Sequence, residues 1–287
     1  MSDRAIANKS IVMVGASNTG KSHFTFQLFG RLSDHSCKLR LREMPNLELF
    51  KVGLEQLNKG LPAEHTNADK YDNADLRIAG PNGEPFDLLW PDYGGEQIRL
   101  ILENRGVDEG WKKRLESAEG ILLFLRLQEI IDYKNIVDHP LDVELTRRAA
   151  SATHQEPDLS SQIGIVEMLQ ILMWAAQKGN SSRLRSPKLG VLLSCWDELG
   201  VENTTPSELL RERAPLLEQF VRANWTQDSV FVLGLSSLER PLNREKYDED
   251  YVNKGPESFG YIIQSNGHRD DDLTIPLLKM LELIDEN

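Results

Sequence analysis

Four consecutive apolar residues, Ile11 to Val14, run into Gly15. A short unbroken apolar run closed by glycine reads as a strand buried on both faces of a parallel sheet. Past a glycine-bounded loop, Phe24, Leu28, Phe29 and Leu32 recur at helical spacing and predict a helix from Lys21 to about Leu32. A second helix is expected from about Leu47 to Lys59, opened by Asn46 after Pro45 and stopped by Gly60. Leu76 and Ile78 then alternate with polar neighbours, Pro81 to Glu84 hold an Asn-Gly turn, and Phe86, Leu88 and Leu89 resume the pattern, which makes a hairpin running to Asp92. Ile121 to Leu125, Leu189 to Leu193 and Val230 to Leu235 read as further core strands. Between and after them lie helical patterns at Ile163 to Gln177, at Pro206 to Asn224 and at about Ile275 to Ile284. The middle one is opened by Thr205, Pro206 and Glu208 in a capping-box arrangement. Strands alternating with helices predict an α/β fold: a mostly parallel sheet, helices on both faces, and one antiparallel edge hairpin.

Polar, mixed stretches near 38–65, 128–161 and 239–272 interrupt this order and read as peripheral insertions in a single domain spanning 1–287. With 287 residues, 40% of them hydrophobic, the chain can bury a sizeable core. The formal charge of −12 repels phosphodiester backbones and anionic lipid, so nucleic acid is not the expected partner. Cys37 and Cys195 are too few for a disulfide framework, which fits a reducing compartment, and a cytoplasmic location is expected. The best apolar run, Gly120 to Leu127, is too short to cross a bilayer and contains Arg126.

The loop between the first strand and the first helix reads GASNTGKS, a full match to G-x-x-x-x-G-K-[ST]. Glycines at Gly15 and Gly20 let the backbone of Ala16, Ser17, Asn18 and Thr19 curl until successive N–H groups face phosphate oxygens, while the following helix presents its positive end to the same charge. Lys21 supplies a point charge to the outer phosphates, the Ser22 hydroxyl suits Mg²⁺, and His23 follows in the first helical turn. The motif sits where its mechanism needs it, after a buried strand and opening a helix. Alone, it does not choose between ATPase, kinase and GTPase.

The other loops make that choice. Asp92 ends a strand and Gly95 lies three residues on, giving a carboxylate for a Mg²⁺ shell and a flexible N–H for a terminal phosphate. Thr66, in the polar loop upstream, stands about where a switch threonine closes over Mg²⁺ and that phosphate. Asp197 and the pair Ser236 and Ser237 both follow core strands, at the strand ends where open α/β sheets bind ligands. An aspartate can accept hydrogen bonds from N1–H and the 2-amino group of guanine, neither of which adenine offers. The two serines would meet the base oxygen through backbone N–H.

These residues resemble a P-loop GTPase of the TRAFAC clade: GASNTGKS as phosphate loop, Asp92 to Gly95 as DxxG switch, SCWD at Ser194 to Asp197 as a degenerate NKxD, and Ser236 to Leu238 as the SAK-like loop. NLELF at Asn46 to Phe50, LLWPDYGGEQ at Leu88 to Gln97, LFLRL at Leu123 to Leu127 and DDLTIPLL at Asp271 to Leu278 are similar to the bacterial double-GTPase family. The resemblance implies a three-layer P-loop NTPase fold, GTP or GDP with Mg²⁺, and a partner protein, a second GTPase or an effector, within a bacterial defence or conflict system. It implies catalytic duties for Lys21 and Thr66. The sequence departs from the general pattern at Ser194 and Cys195, which replace Asn and Lys. It departs again after Gly95, where Glu96 holds the place of a water-positioning glutamine and Gln97 comes next, so either can serve or hydrolysis can wait for a partner. No arginine finger can be assigned: Arg40, Arg42, Arg99 and Arg105 are candidates only, each better read as a surface charge. Two other readings stay open: a GTP-bound scaffold that does not hydrolyse, and a P-loop kinase, which ranks below both because no Arg-rich lid is present in the sequence.

Overall fold

The computed structural model describes residues 9–34, 37–63, 74–90, 95–130, 159–176 and 182–282. In chain order the first half runs β1 (Lys9–Val14), α1 (Lys21–Ser33), β2 (Arg40–Leu41), α2 (Leu47–Asn58), β3 (Ala74–Ala79), β4 (Pro85–Trp90), α3 (Gly95–Asn104), α4 (Glu109–Ser117) and β5 (Ala118–Leu125). The second half runs α5 (Gln162–Ala175), β6 (Lys188–Ser194), α6 (Pro206–Arg213), α7 (Pro215–Asn224), β7 (Val230–Ser236), α8 (Glu249–Lys254), β8 (Tyr261–Ile263), β9 (Arg269–Asp270) and α9 (Ile275–Met280).

The strands form one nine-stranded sheet in the order β2-β3-β4-β1-β5-β6-β7-β8-β9. Its centre, β4-β1-β5-β6-β7, is parallel throughout. The chain leaves β1 for β4 on one side and then crosses to β5 on the other, so the carboxyl end of β1 lies at a point where the winding reverses and a crevice opens for a ligand. The unbroken apolar run of β1 has its cause here. Ile11 and Met13 pack with Phe24, Leu28 and Phe50 on one face, while Val12 and Val14 pack with Ile101, Trp111 and Leu169 on the other.

Three expectations change and one unassigned stretch gains structure. The pattern at Pro206 to Asn224 is two helices, because Pro215 has no N–H to continue α6 and pushes Ala214 out of helical geometry, to φ −138°. The last helix ends at Met280, and Glu282 turns left-handed at φ +56°. Residues 95–117, which carried no sequence assignment, form α3 and α4. Finally, the stretch 239–272 is no mere periphery: β8 pairs antiparallel with β7 and β9 with β8, giving a second antiparallel edge at the opposite side of the sheet from the expected hairpin.

That second edge is held from inside. Arg31 of α1 is buried and donates to the carbonyl oxygens of Phe259 at 2.7 Å, of Gly260 at 3.3 Å, and of Asp271. Burial pulls its pKa below the ordinary guanidinium value, against the pull of Asp272 and Asp271, yet an arginine stays charged in any case. One buried side chain thus ties α1 to three carbonyls of the second edge.

Candidate functional site

The loop from Gly15 to Gly20 joins β1 to α1 at the carboxyl edge of the central strands, and Lys21 and Ser22 open the helix. Gly15 has φ +153°, and a Cβ there would sit 2.6 Å from the Phe124 carbonyl oxygen, so no side chain fits where the loop passes β5. Gly20 is left-handed at φ +77° and stands at the N-cap of α1, and Asn18 is left-handed at φ +61°. Left-handed residues two apart are the backbone pattern of an anion-binding nest. Thr19, buried, fixes the curl by donating its hydroxyl to the Ala16 carbonyl at 2.8 Å.

Lys21 folds back over its own loop. Its ammonium donates to the carbonyls of Gly15 at 2.8 Å and Ala16 at 2.5 Å and reaches Thr19 Oγ1 at 3.3 Å. The cation therefore sits within the loop, bonded to the loop's own carbonyls. Ser22 is the second residue of α1. His23 does something the sequence did not suggest: its Nε2 accepts the Ala63 N–H at 3.1 Å, tying α1 to the chain just before Thr66. Thr66 and Asp92 themselves lie outside the described residues. Gly95 begins α3 and Glu96 and Gln97 follow in its first turn. Along Gly15, Ala16, Ser17 and Thr19 runs a cleft of about 300 Å³, walled by Leu102, Phe124, Ile165 and Met168 and closed at one side by Arg126.

The second cluster forms where β6 and β7 end. Cys195 is left-handed at φ +53° and starts a short 3-10 turn, Trp196–Glu198, that brings Asp197 back beside β7. There Asp197 Oδ1 accepts the Ser236 hydroxyl at 2.5 Å, and Ser236 Oγ in turn accepts the Glu239 N–H at 2.8 Å. Burial raises the Asp197 carboxyl above its ordinary value, opposed by the Ser236 hydrogen bond. Ser236 and Ser237 are both buried. Burial also pushes the Cys195 thiol up to about 12, so it is neutral.

The two clusters adjoin. A Cβ on Gly20 would lie 4.0 Å from Ser194 Cβ, and Ser194 Oγ is buried with no hydrogen-bond partner among the described residues. A buried hydroxyl of this kind is costly unless something else satisfies it. One end can thus hold a polyphosphate on backbone, helix terminus and ammonium, and the other can hold the edge of a base on a carboxylate. Sequence reasoning missed the group between them. Arg126, just past β5, reaches both, although in the sequence it registers only as the charge that interrupts an apolar run. A cation closing an otherwise apolar core strand was the available signal.

A model of the Double-GTPase 1 family matches residues 12–280, a span that includes every element of both clusters. The chain belongs to the Double-GTPase 1 family. Membership in this GTPase family supports guanine-nucleotide binding and agrees with the TRAFAC-type P-loop motifs read from its residues. Among solved structures, the Saccharomyces cerevisiae Ski7 GTPase-like domain bound to GTP is 14% identical with a TM-score of 0.44, covering 80% of this chain and 43% of that one. The bacterial selenocysteine-specific elongation factor EF-Sec is 13% identical with a TM-score of 0.34, covering 98% of this chain and 30% of its own. The signal recognition particle receptor SRb-GTP/SRX complex from Chaetomium thermophilum is 12% identical with a TM-score of 0.36, covering 82% and 93%. This Double-GTPase 1 chain therefore spans less than half the length of the Ski7 and EF-Sec chains. No curated protein matches it by sequence. Among the described residues no helix is long and apolar enough to cross a membrane.

Proposed function

We propose that this Double-GTPase 1 member is a Mg²⁺-dependent switch that binds and hydrolyses GTP and acts with a partner protein, a second GTPase or an effector, in a bacterial defence system. One observation carries the reading: a phosphate loop and an aspartate suited to guanine share one edge of the sheet, separated only by the end of β5. In this reading Gly15 to Ser22 wrap the phosphates, Lys21 leaves the Ala16 carbonyl for a phosphate oxygen, and Asp197 with Ser236 and Ser237 select the base. Mg²⁺ suits the Ser22 hydroxyl together with Asp92 and Thr66, since this ion keeps water and phosphate oxygens in its shell and needs few protein ligands. When bound, it neutralises charge developing on the phosphates. Gly95 would give its N–H to the terminal phosphate, and the Thr66 and Asp92 loops would report its loss to the partner.

A scaffold that holds GTP without hydrolysing it is favoured by one residue, Glu96, whose carboxylate beside a triphosphate is electrostatically adverse. The test is to denature the purified protein, identify any released nucleotide by chromatography, and measure phosphate release from GTP and ATP, alone and with the product of a neighbouring gene. GTP turnover that disappears in Lys21→Ala supports the switch. No turnover in either condition supports the scaffold, and equal affinity for ATP and GTP overturns the guanine reading.

A further inference from the structure

Arg126 stands between the two clusters. Its Nη2 pairs with Glu198 Oε2 at 2.5 Å, in the turn that carries Asp197, and its Nη1 pairs with Glu129 Oε1 at 2.9 Å and reaches to 3.5 Å from the Asn18 carbonyl oxygen of the phosphate loop. Gln128, two residues on, donates to the Cys195 carbonyl at 3.1 Å and pins the same turn. All of these bonds lie along the edge of the guanidinium. Its Nε is buried with no hydrogen-bond partner among the described residues, and the side chain keeps 24% of its surface exposed. Within the turn itself no residue supplies a cation: Ser194 and Cys195 are neutral, Trp196 is buried, and Asp197 and Glu198 are acidic.

A planar cation held through both terminal nitrogens, between the phosphate loop and the turn that carries Asp197, is suited to stack on a purine ring bound there. We infer that Arg126 is a base-positioning residue of the nucleotide site: its guanidinium covers one face of the purine whose edge Asp197 reads, and it couples that contact to the phosphate loop through Asn18. The inference rests on the proposed nucleotide site. Glu198 and Glu129 hold the guanidinium plane in place, and the carbonyl of Asn18 sets its distance from the phosphates. Stacking does not distinguish guanine from adenine, so Arg126 contributes affinity for any purine and Asp197 contributes the choice.

The experiment compares GDP, ADP and inorganic tripolyphosphate binding by calorimetry for the full chain and for Arg126→Met, Arg126→Lys and Glu198→Gln. Arg126→Met is expected to weaken GDP and ADP by the same factor, about 10- to 100-fold, and to leave tripolyphosphate within about twofold. Arg126→Lys, which keeps the charge and loses the plane, should recover only part of the GDP affinity, and Glu198→Gln, which removes one of the two carboxylates that hold the plane, should cost less than Arg126→Met. An equal loss for tripolyphosphate would make Arg126 a phosphate contact and overturn the inference, as would unchanged GDP binding in Arg126→Met. A wild-type chain that binds no GDP would instead sink the nucleotide site itself. If Arg126→Met does not fold, Glu198→Gln and Arg126→Lys still decide, because unchanged GDP affinity in both excludes a stacking role.

Discussion

The proposed phosphate end and the proposed base end of this site are built by different means. At the phosphate end eight consecutive residues, Gly15 to Ser22, do the work, chiefly with main-chain groups whose directions are set by left-handed Asn18 and Gly20 and by the start of α1. At the base end side chains do it, and they arrive from separate strand ends: Arg126 from β5, Asp197 from β6 and Ser236 from β7. A backbone cradle tolerates almost any side chain but forbids a Cβ at its tightest point. A side-chain cluster tolerates backbone drift but depends on each named group and on whatever holds the strands in register.

The largest effect should therefore follow from the smallest change at the phosphate end. Gly15→Ala drives a methyl toward the Phe124 carbonyl at 2.6 Å and asks alanine to adopt φ +153°. The loop must move, and affinity for GDP, ADP and tripolyphosphate should fall together by about a hundredfold or more, ~2.7 kcal/mol. Calorimetry on the three ligands checks this. A loss confined to GDP would mean that the two ends are not separate in the way described.

Next comes Arg31→Met, which touches neither end directly. It removes the donor that satisfies the carbonyls of Phe259, Gly260 and Asp271, so folding stability should drop by about 3 kcal/mol. Because β8 lies on β7 beside Ser236, the loosening should spread to the base end and spare the cradle. Faster amide exchange over 259–272 with a weaker guanine preference, at unchanged tripolyphosphate affinity, is the expected result. Uniform loss at both ends would show that α1 passes the strain to its own loop.

The same division explains what could be read from the sequence. The cradle was legible because its conformational needs fall on adjacent residues and only glycine meets the strictest of them. Asp197 was legible as a carboxylate after a strand, but its bond to Ser236 joins residues 39 apart, and the reach of Arg126 to Asn18 spans 108. No local spacing encodes such pairings. Arg31 looked like an ordinary charge near the end of a helix, since its acceptors lie more than 220 residues away. The break at Pro215 was different. It was in plain view, and the apolar periodicity on either side of it concealed that a proline inside a helical pattern ends the helix.

Asp197→Asn tests the base end alone. Asparagine can still accept the Ser236 hydroxyl, yet it presents an amide where a carboxylate accepted from the base. The ratio of GDP to ADP affinity should fall by about 10- to 100-fold, with tripolyphosphate binding untouched. A preserved ratio would move guanine recognition to the backbone of Ser236 and Ser237.

The smallest effect is the most specific. Burial raises the Asp197 carboxyl above its ordinary value, despite the Ser236 hydroxyl, so the folded chain holds that proton more tightly than the unfolded chain does. The sign follows by linkage. Asp197 favours folding at pH below the ordinary aspartate value, and this contribution is lost as pH rises from there through the raised folded value. Guanine binding runs the other way, because only the ionised carboxylate accepts from N1–H and the 2-amino group together, so GDP affinity should climb through the same raised pKa while ADP affinity stays level. Across that acidic range the thermal-midpoint advantage of the wild type over Asp197→Asn should shrink as pH rises while wild-type GDP affinity climbs, and Asp197→Asn should flatten the affinity profile. A GDP affinity that rises with pH in the asparagine variant as steeply as in the wild type would assign the titration to another group and take the reading carboxylate away from Asp197.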